Sequence, residues 1–157
     1  MTIHRTVLLL IAASLCACTA GGVNPTTGGG AGVMSVTTID VSIAAFPLES
    51  TPLGDARGFS PEVTDVSVGS GVQFVNVDNT EHTATSIPGT TVFPAVSPFG
   101  VSALQPSANA GISGSWGAGA LVPGQMSQVF VVDLPGTYIY GCFFHYSGGM
   151  RGVIVAK

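Results

Sequence analysis

The feature that most constrains this fold is a series of seven short strand-like segments, rich in β-branched and aromatic residues. They lie at 35–45, 62–68, 71–77, 81–87, 126–134, 137–142 and 150–156. Turn signals separate them: Gly-Ser-Gly at 69–71, Asp-Asn at 78–79, and Pro-Gly at 123–124 and 135–136. Short strands with such turns predict an all-β domain, an antiparallel Greek-key β-sandwich.

The composition also favours strands and excludes two classes of function. Only 8% of the residues are charged, and 22 of the 157 are Gly. This usage is typical of β domains rather than helical ones. Four Lys and Arg residues are too few for nucleic-acid binding to be expected. After residue 20, no apolar run is long enough to form a transmembrane helix.

Residues 1–17 are predicted to be an export signal. Arg5 forms a short positive region, and residues 7–15 form an apolar core too short to span a bilayer. Cys18 follows Ala17, as in bacterial lipoprotein signals, so we expect Cys18 to carry a lipid anchor. The alternative is an ordinary secretory signal cleaved near Ala20. Export is expected in both cases, and lipidation predicts a periplasmic or outer-surface lipoprotein tethered to a membrane.

The remainder divides into a linker and one domain. Residues 18–33 hold the anchor Cys and an uncharged Gly/Thr-rich stretch, which predicts a flexible linker. The folded domain is predicted over 34–157. Within it, 88–120 is rich in Pro, Gly, Ala and Ser and has no charged residue, which indicates a long insertion. Its apolar side chains, including Trp116, are expected to pack it onto the sandwich.

Export changes how the cysteines are interpreted. Exported proteins usually pair their cysteines in disulfides. Cys16 and Cys18 belong to the signal or the anchor, so Cys142 has no partner within the predicted domain. A lone Cys in such a chain is a free thiol, an intermolecular bridge or a metal ligand.

The neighbours of Cys142 favour a metal. His145 and Met150 follow it within one stretch of nine residues, and His82 lies sixty residues upstream. Each alone has an ordinary alternative: a strand histidine, a core methionine or a buried cysteine. Together, two His, one Cys and a weak Met form the ligand set of a blue-copper site. Zinc is the competing metal, although structural zinc sites rarely use Met.

The predicted strands indicate how these side chains meet. The strand at 137–142 ends on Cys142, a loop offers His145, and the chain enters another strand at Met150. One strand–loop–strand unit therefore supplies three donors around one point. His82 lies in or beside a neighbouring strand and is expected to supply the fourth donor from the sheet.

The Cys-x2-His-x4-Met spacing of 142–150 resembles the copper loop of plastocyanins and pseudoazurins, within the plastocyanin/azurin family of cupredoxins. The segment 68–78 followed by His82-Thr83, and the segment 135–142, are similar to the same family. The resemblance covers roughly 35–157, with 88–120 divergent. It implies a cupredoxin-like fold and one type 1 copper, held by His82 and His145 as equatorial ligands, Cys142 as thiolate and Met150 as axial ligand.

The resemblance also implies a function. The protein is expected to be a one-electron carrier outside the cytoplasm, its copper cycling between Cu(II) and Cu(I). Redox proteins would dock near His145, on an apolar face formed with Phe144, Tyr146 and Gly148; no small-molecule substrate is expected. The alternative is a copper-handling module that delivers or sequesters the metal. An enzyme is not expected, because a second copper centre would need more His ligands than the mature chain has.

Two residues depart from the family pattern. Phe144 stands where plastocyanins often have Pro, and Thr83 stands where Asn often follows the first His. The family residue at the Thr83 position helps to hold the Cys loop, a role that Thr would fill through its hydroxyl. Changes beside ligands are expected to alter the potential or rigidity of the site more than the identity of its metal.

Overall fold

The structure, a computed structural model, describes residues 33–157, which form one compact unit. The predicted signal, the anchor at Cys18 and almost all of the linker lie outside the described residues. None of the helices within 33–157 has the length and apolar character to cross a membrane. Ten strands are described: β1 (Val36–Val41), β2 (Glu49–Thr51), β3 (Gly54–Ala56), β4 (Phe59–Ser60), β5 (Val63–Val66), β6 (Gly71–Asn76), β7 (Thr85–Ser86), β8 (Phe130–Val131), β9 (Gly136–Gly141) and β10 (Arg151–Ala156). Two short 3₁₀ helices cover Val101–Leu104 and Tyr146–Gly148.

The strands form two four-stranded sheets and a small hairpin, which confirms the all-β sandwich. One sheet has the order β4-β1-β6-β8, the other β5-β10-β9-β7, and β2 pairs with β3. The sheets are mixed rather than antiparallel throughout, because β1 runs parallel to β6 and β5 runs parallel to β10. In each parallel pair, a long connection that contains other strands joins the two partners. Such a connection allows parallel pairing, whereas a tight hairpin joins only antiparallel strands.

The two sheets pack face to face around an aromatic cluster. Phe74 of β6 lies at its centre and has no exposed surface. Its ring centroid is 5.2 Å from that of Tyr140 in β9 and 5.6 Å from that of Trp116. Phe59 and Phe130 each lie 6.1 Å from Phe74. Because Phe74 and Tyr140 belong to opposite sheets, this cluster joins the two layers.

The segment 88–120 packs onto the sandwich, as predicted. Trp116 is buried and stacks on Phe74, so its role in packing is confirmed. Phe93 and Phe99 pack in a second apolar cluster that also contains Tyr146. The segment therefore contributes to the core and reaches the loop that carries the predicted ligands.

The end of this segment and the residue after it, Leu121, hold the chain around His82. The amide of His82 donates to the Leu121 carbonyl at 3.1 Å, and the Leu121 amide returns a bond of 2.7 Å. Two residues further along, the Ala118 amide donates to the Ala84 carbonyl at 2.8 Å. Only β7 of the predicted 81–87 strand is regular. On this side, the predicted strand pairs with residues 117–121 through isolated bridges, because those residues are themselves irregular. His82 is nonetheless held by main-chain bonds.

Three short strands, β2, β3 and β4, are absent from the sequence prediction. They lie between residues 49 and 60 and have only two or three residues each. Such short elements carry no measurable periodicity, and β4 exists through pairing with β1. The predicted strand at 126–134 is shorter in the structure, where only β8 is a regular strand. Before β8, the Phe74 amide donates to the Ser127 hydroxyl oxygen at 3.0 Å, in place of a main-chain carbonyl.

Candidate metal centre

Three of the four predicted donors converge at one end of the sandwich. Cys142 Sγ lies 3.8 Å from His82 Nδ1 and 3.7 Å from His145 Nδ1. The two Nδ1 atoms are 3.1 Å apart. The sheets bring His82 to the other two residues across sixty positions of sequence, as the resemblance implies.

The local fold of the ligand loop explains the position of Cys142 and His145. Cys142 follows the last residue of β9, and its amide donates to the Met150 carbonyl at 3.0 Å. The Met150 amide donates to the His145 carbonyl at 3.2 Å, which closes the loop on itself. Gly149 has a φ of +89°, a left-handed conformation that favours glycine, and it turns the chain toward β10.

The donor spacing fits a single metal ion. A zinc ion holds His nitrogen at about 2.0–2.1 Å and thiolate sulfur at about 2.3 Å, so donors that share such an ion lie within about 4.4 Å of one another. All three observed separations, 3.1 to 3.8 Å, meet this requirement. Two imidazoles and one thiol suit either copper or zinc, and a nearby thioether favours copper.

Met150 is placed beside this cluster and is fully buried. It belongs to the same core cluster as Cys142. A Cβ at Gly58 would lie 2.7 Å from Met150 Cγ and 3.4 Å from Met150 Sδ, so the absence of a side chain there makes room for the thioether. The axial role of Met150 stays a prediction.

Burial differs among the donors and shifts the pKa values of Cys142 and His145. His82 and Cys142 are fully buried, whereas His145 is partly exposed. Burial raises the pKa of the Cys142 thiol, and hydrogen bonds from the Thr83, His145 and Phe144 amides oppose this only in part. Burial also lowers the pKa of His145, and nearby His82 lowers it further. Neutral imidazoles have a lone pair for a metal, and a bound ion would displace the thiol proton.

Thr83 links the strand region of His82 to the ligand loop. Its amide donates to Cys142 Sγ at 3.3 Å, and its hydroxyl oxygen accepts the Phe143 amide at 2.8 Å. The expected role of Thr83 in holding the Cys loop through its hydroxyl is confirmed. A threonine therefore makes the connection for which the family often uses Asn.

Thr83→Val is expected to lower the free energy of unfolding of the apo-protein by about 1–2 kcal/mol, because the Phe143 amide loses its acceptor in a partly buried position. Urea denaturation measures the change. Thr83→Ser keeps the hydroxyl and is the matched control. Equal stability of the Val and Ser variants would contradict the role assigned to the hydroxyl.

Asp78 is a residue of the site that sequence analysis missed. Its Oδ2 atom lies 3.1 Å from Nε2 of His82, and its side chain is only 4% exposed. Burial works to raise the pKa of Asp78, but hydrogen bonds from Asn79, His82, Ala44 and Ser42 outweigh it and lower the pKa to about 2. The carboxylate is therefore ionised at neutral pH. The sequence showed Asp78 only as part of a turn, and its spacing of four residues from His82 is not specific by itself.

The surface around His145 is mostly apolar. Phe144 is 41% exposed, and its ring centroid lies 6.2 Å from that of His145. On the other side of the loop, a Cβ at Gly149 would lie 2.9 Å from Leu48 Cδ1, and Leu48 is also exposed. Residues 43–48, Ile-Ala-Ala-Phe-Pro-Leu, contain no charge. Apolar side chains therefore border the most exposed donor, together with one cation, Arg57, whose guanidinium donates to the Ile43 carbonyl at 2.7 Å.

Tyr146 does not belong to this surface, contrary to the sequence prediction. It is 1% exposed, and its hydroxyl donates to the Pro94 carbonyl at 2.9 Å. Its ring packs edge-on against Phe99, and the Arg151 guanidinium lies 4.3 Å from the ring centroid. The 88–120 segment and Arg151 thus enclose Tyr146. Its buried side chain anchors the 142–150 loop to the rest of the domain.

No protein-family model and no curated protein matches the chain. Among solved structures, it is similar to a purple cupredoxin from Nitrosopumilus maritimus, with 20% identity over 76% of this chain and 98% of that chain and a TM-score of 0.48. A mutant plastocyanin of fern has 26% identity, coverage of 77% and 100%, and a TM-score of 0.46. Auracyanin from the photosynthetic bacterium Roseiflexus castenholzii has 22% identity, coverage of 80% and 99%, and a TM-score of 0.49. At these levels of similarity, the donor side chains themselves are the evidence for what the site binds.

Proposed function

We propose that this protein is a type 1 (blue) copper protein of the cupredoxin kind that carries single electrons between redox proteins outside the cytoplasm. The observation that carries the proposal is the convergence of His82 Nδ1, Cys142 Sγ and His145 Nδ1 within 3.8 Å of one another. The bound copper would supply one-electron exchange between its Cu(II) and Cu(I) states.

The donor set favours copper over zinc. The thiol of Cys142 and the thioether of Met150 are soft donors that suit Cu(I), and the imidazoles suit both oxidation states of copper. Zinc sites prefer Cys, His and carboxylate ligands. The carboxylate of Asp78 faces Nε2 of His82, away from the Nδ1 atom that points to Cys142, so it is not a fourth donor of a zinc site.

The surroundings of the donors favour electron transfer over metal delivery. His82 is held by main-chain bonds to Leu121, and the Cys142 loop is tied to Thr83. Donors fixed by the fold move little when the charge of the metal changes, so reorganisation is small. A rigid, buried set of donors also releases metal poorly, which disfavours the alternative of a copper-handling module.

Electrons are proposed to pass through the exposed part of His145. Redox partners would dock on the mostly apolar surface that contains Phe144, Gly148 and Leu48. Both histidines of residues 33–157 lie in the one cluster, which leaves none for a second, catalytic copper. Exchange of electrons between proteins, without a small-molecule substrate, is therefore the proposed activity.

The proposed location is the periplasm or outer cell surface, with a lipid anchor at Cys18. This part of the proposal is supported by the sequence of the first 18 residues alone. Intact mass after expression in a bacterium that processes lipoproteins tests it. Acyl groups on Cys18 would support the anchor, and an unmodified mature N-terminus would refute it.

The central test is reconstitution of the purified apo-protein with Cu(II), with Zn(II) as the matched control. We expect one copper per chain, an intense visible thiolate-to-copper band, and no visible band with zinc. Stopped-flow reduction and reoxidation should proceed without loss of metal. A copper complex that stays colourless after treatment with an oxidant such as ferricyanide would refute the blue-copper proposal. Transfer of copper to an acceptor apo-protein, with slow redox cycling, would support the copper-handling alternative.

A further inference from the structure

The hydrogen bond between Asp78 and His82 lies on the side of the imidazole away from the other donors. Nδ1 of His82 points to Cys142 and His145, whereas Nε2 lies 3.1 Å from Asp78 Oδ2. A carboxylate only accepts hydrogen bonds, so Nε2 must carry the proton. The Nδ1 lone pair is then free for a metal. Asp78 thereby selects which nitrogen of His82 serves as the ligand.

Several hydrogen bonds fix the position of the Asp78 carboxylate. The Asn79 amide donates to Oδ1 at 2.7 Å, and the Ser42 hydroxyl donates to Oδ2 at 3.0 Å. The Ala44 amide also approaches Oδ2, at 3.3 Å. Ser42 precedes the 43–48 segment, and Ala44 belongs to it. One buried carboxylate therefore connects this segment to the ring of His82.

The carboxylate also places a negative charge one imidazole ring away from the donor cluster. Within the described part of the chain, the salt bridges are Asp78 with His82 and Asp65 with Lys157, so neither Lys nor Arg forms a salt bridge with Asp78. The Arg57 guanidinium is directed to the Ile43 carbonyl instead. The Asp78 side chain is almost fully buried, so water screens this charge weakly. A nearby negative charge stabilises the oxidised, more positive metal state relative to the reduced state.

We propose that Asp78 is a positioning residue that holds His82 as an Nδ1 ligand and lowers the reduction potential of the centre. The inference rests on the proposed function, because it concerns copper bound at these donors. It adds a carboxylate–histidine–metal arrangement to the site, in which the carboxylate acts through His82 without contacting the metal.

The test is the midpoint potential of the copper-loaded Asp78→Asn variant at fixed pH and ionic strength. Asn keeps an acceptor oxygen and the size of the side chain but removes the charge. Loss of such a partner weakens metal binding by about 10–100-fold. If this loss falls mainly on Cu(II), the potential rises by about 60–120 mV, since each tenfold change is 59 mV for one electron. The visible band should remain, because Cys142 is unchanged.

Asp133→Asn is the matched control. Asp133 is exposed and accepts hydrogen bonds from Ser113, outside the donor cluster. Asp133→Asn changes the net charge by the same amount as Asp78→Asn, and we expect it to shift the reduction potential much less. Equal shifts in the two variants, or an unchanged potential in Asp78→Asn, would overturn the inference while leaving the blue-copper proposal intact. A copper-loaded wild-type protein without a visible band in its oxidised state would overturn both.

A second measurement keeps the inference testable if Asp78→Asn fails to fold. In the ¹⁵N NMR spectrum of the reduced wild-type protein, the Nε2 proton of His82 is expected to be observable and slow to exchange. An unprotonated Nε2, or rapid exchange of that proton with water, would overturn the inference without any substitution.

Discussion

Replacing Cys142 with serine is expected to abolish the intense visible band of the copper-loaded protein. The band arises from charge transfer between a thiolate and Cu(II), and Cys142 is the one cysteine in residues 33–157. A serine hydroxyl is a harder and far less acidic ligand, so copper affinity should fall as well. Absorption spectra and copper analysis after reconstitution measure both effects.

The matched control is Cys18→Ser, which removes a cysteine that is not among the proposed copper ligands. This variant should keep the full visible band. Cys142→Ser should also keep the fold, because the change is small in volume, and circular dichroism of the apo-protein checks this point. A band that persists in a folded Cys142→Ser variant would contradict the assignment of Cys142 as the thiolate ligand.

Phe74→Ala is expected to lower the free energy of unfolding by about 3–5 kcal/mol. Phe74 is fully buried and contacts aromatic rings from both sheets, including Tyr140 and Trp116. Truncation would leave a cavity that these large, interlocked rings fill poorly. A domain of this size is usually stable by about 5–15 kcal/mol, so a large share of the stability would be lost. Urea denaturation of the apo-protein measures the change.

Phe144→Ala removes the same side chain from an exposed position and is the matched control. Its effect on stability should be within about 0.5 kcal/mol, as for most surface substitutions. If the proposed docking surface is correct, this variant should instead slow electron exchange with a redox partner. Equal destabilisation by the two substitutions would contradict the assignment of Phe74 to the centre of the core.

The sequence predicted the ligand loop well because its determinants are local. Strands β9 and β10 follow from their residue pattern, and the short loop between them holds Cys142 and His145 by chain connectivity. The all-β sandwich followed from the turn signals and the β-branched segments. The short strands β2, β3 and β4 were missed because two or three residues are too few to show periodicity. In addition, β4 pairs with β1, which is distant in the sequence.

Asp78 and Tyr146 show why the surroundings of the site were harder to predict. Asp78 acquires its role through Ser42, 36 residues away, as well as through His82. Tyr146 stands beside His145 in the chain, yet Pro94 and Phe99 bury it from the other side. Nothing near either residue in the sequence indicates these partners.

The sequence by itself determined the chemical character of the centre: two imidazoles, one thiol and one thioether, of which three stand on a single strand–loop–strand unit. Only the tertiary structure decided which nitrogen of His82 faces the cluster, which donor reaches the surface, and where a buried negative charge lies. The physical reason is that donor identity is a property of each side chain. Orientation, burial and charge environment arise when segments far apart in the chain pack together.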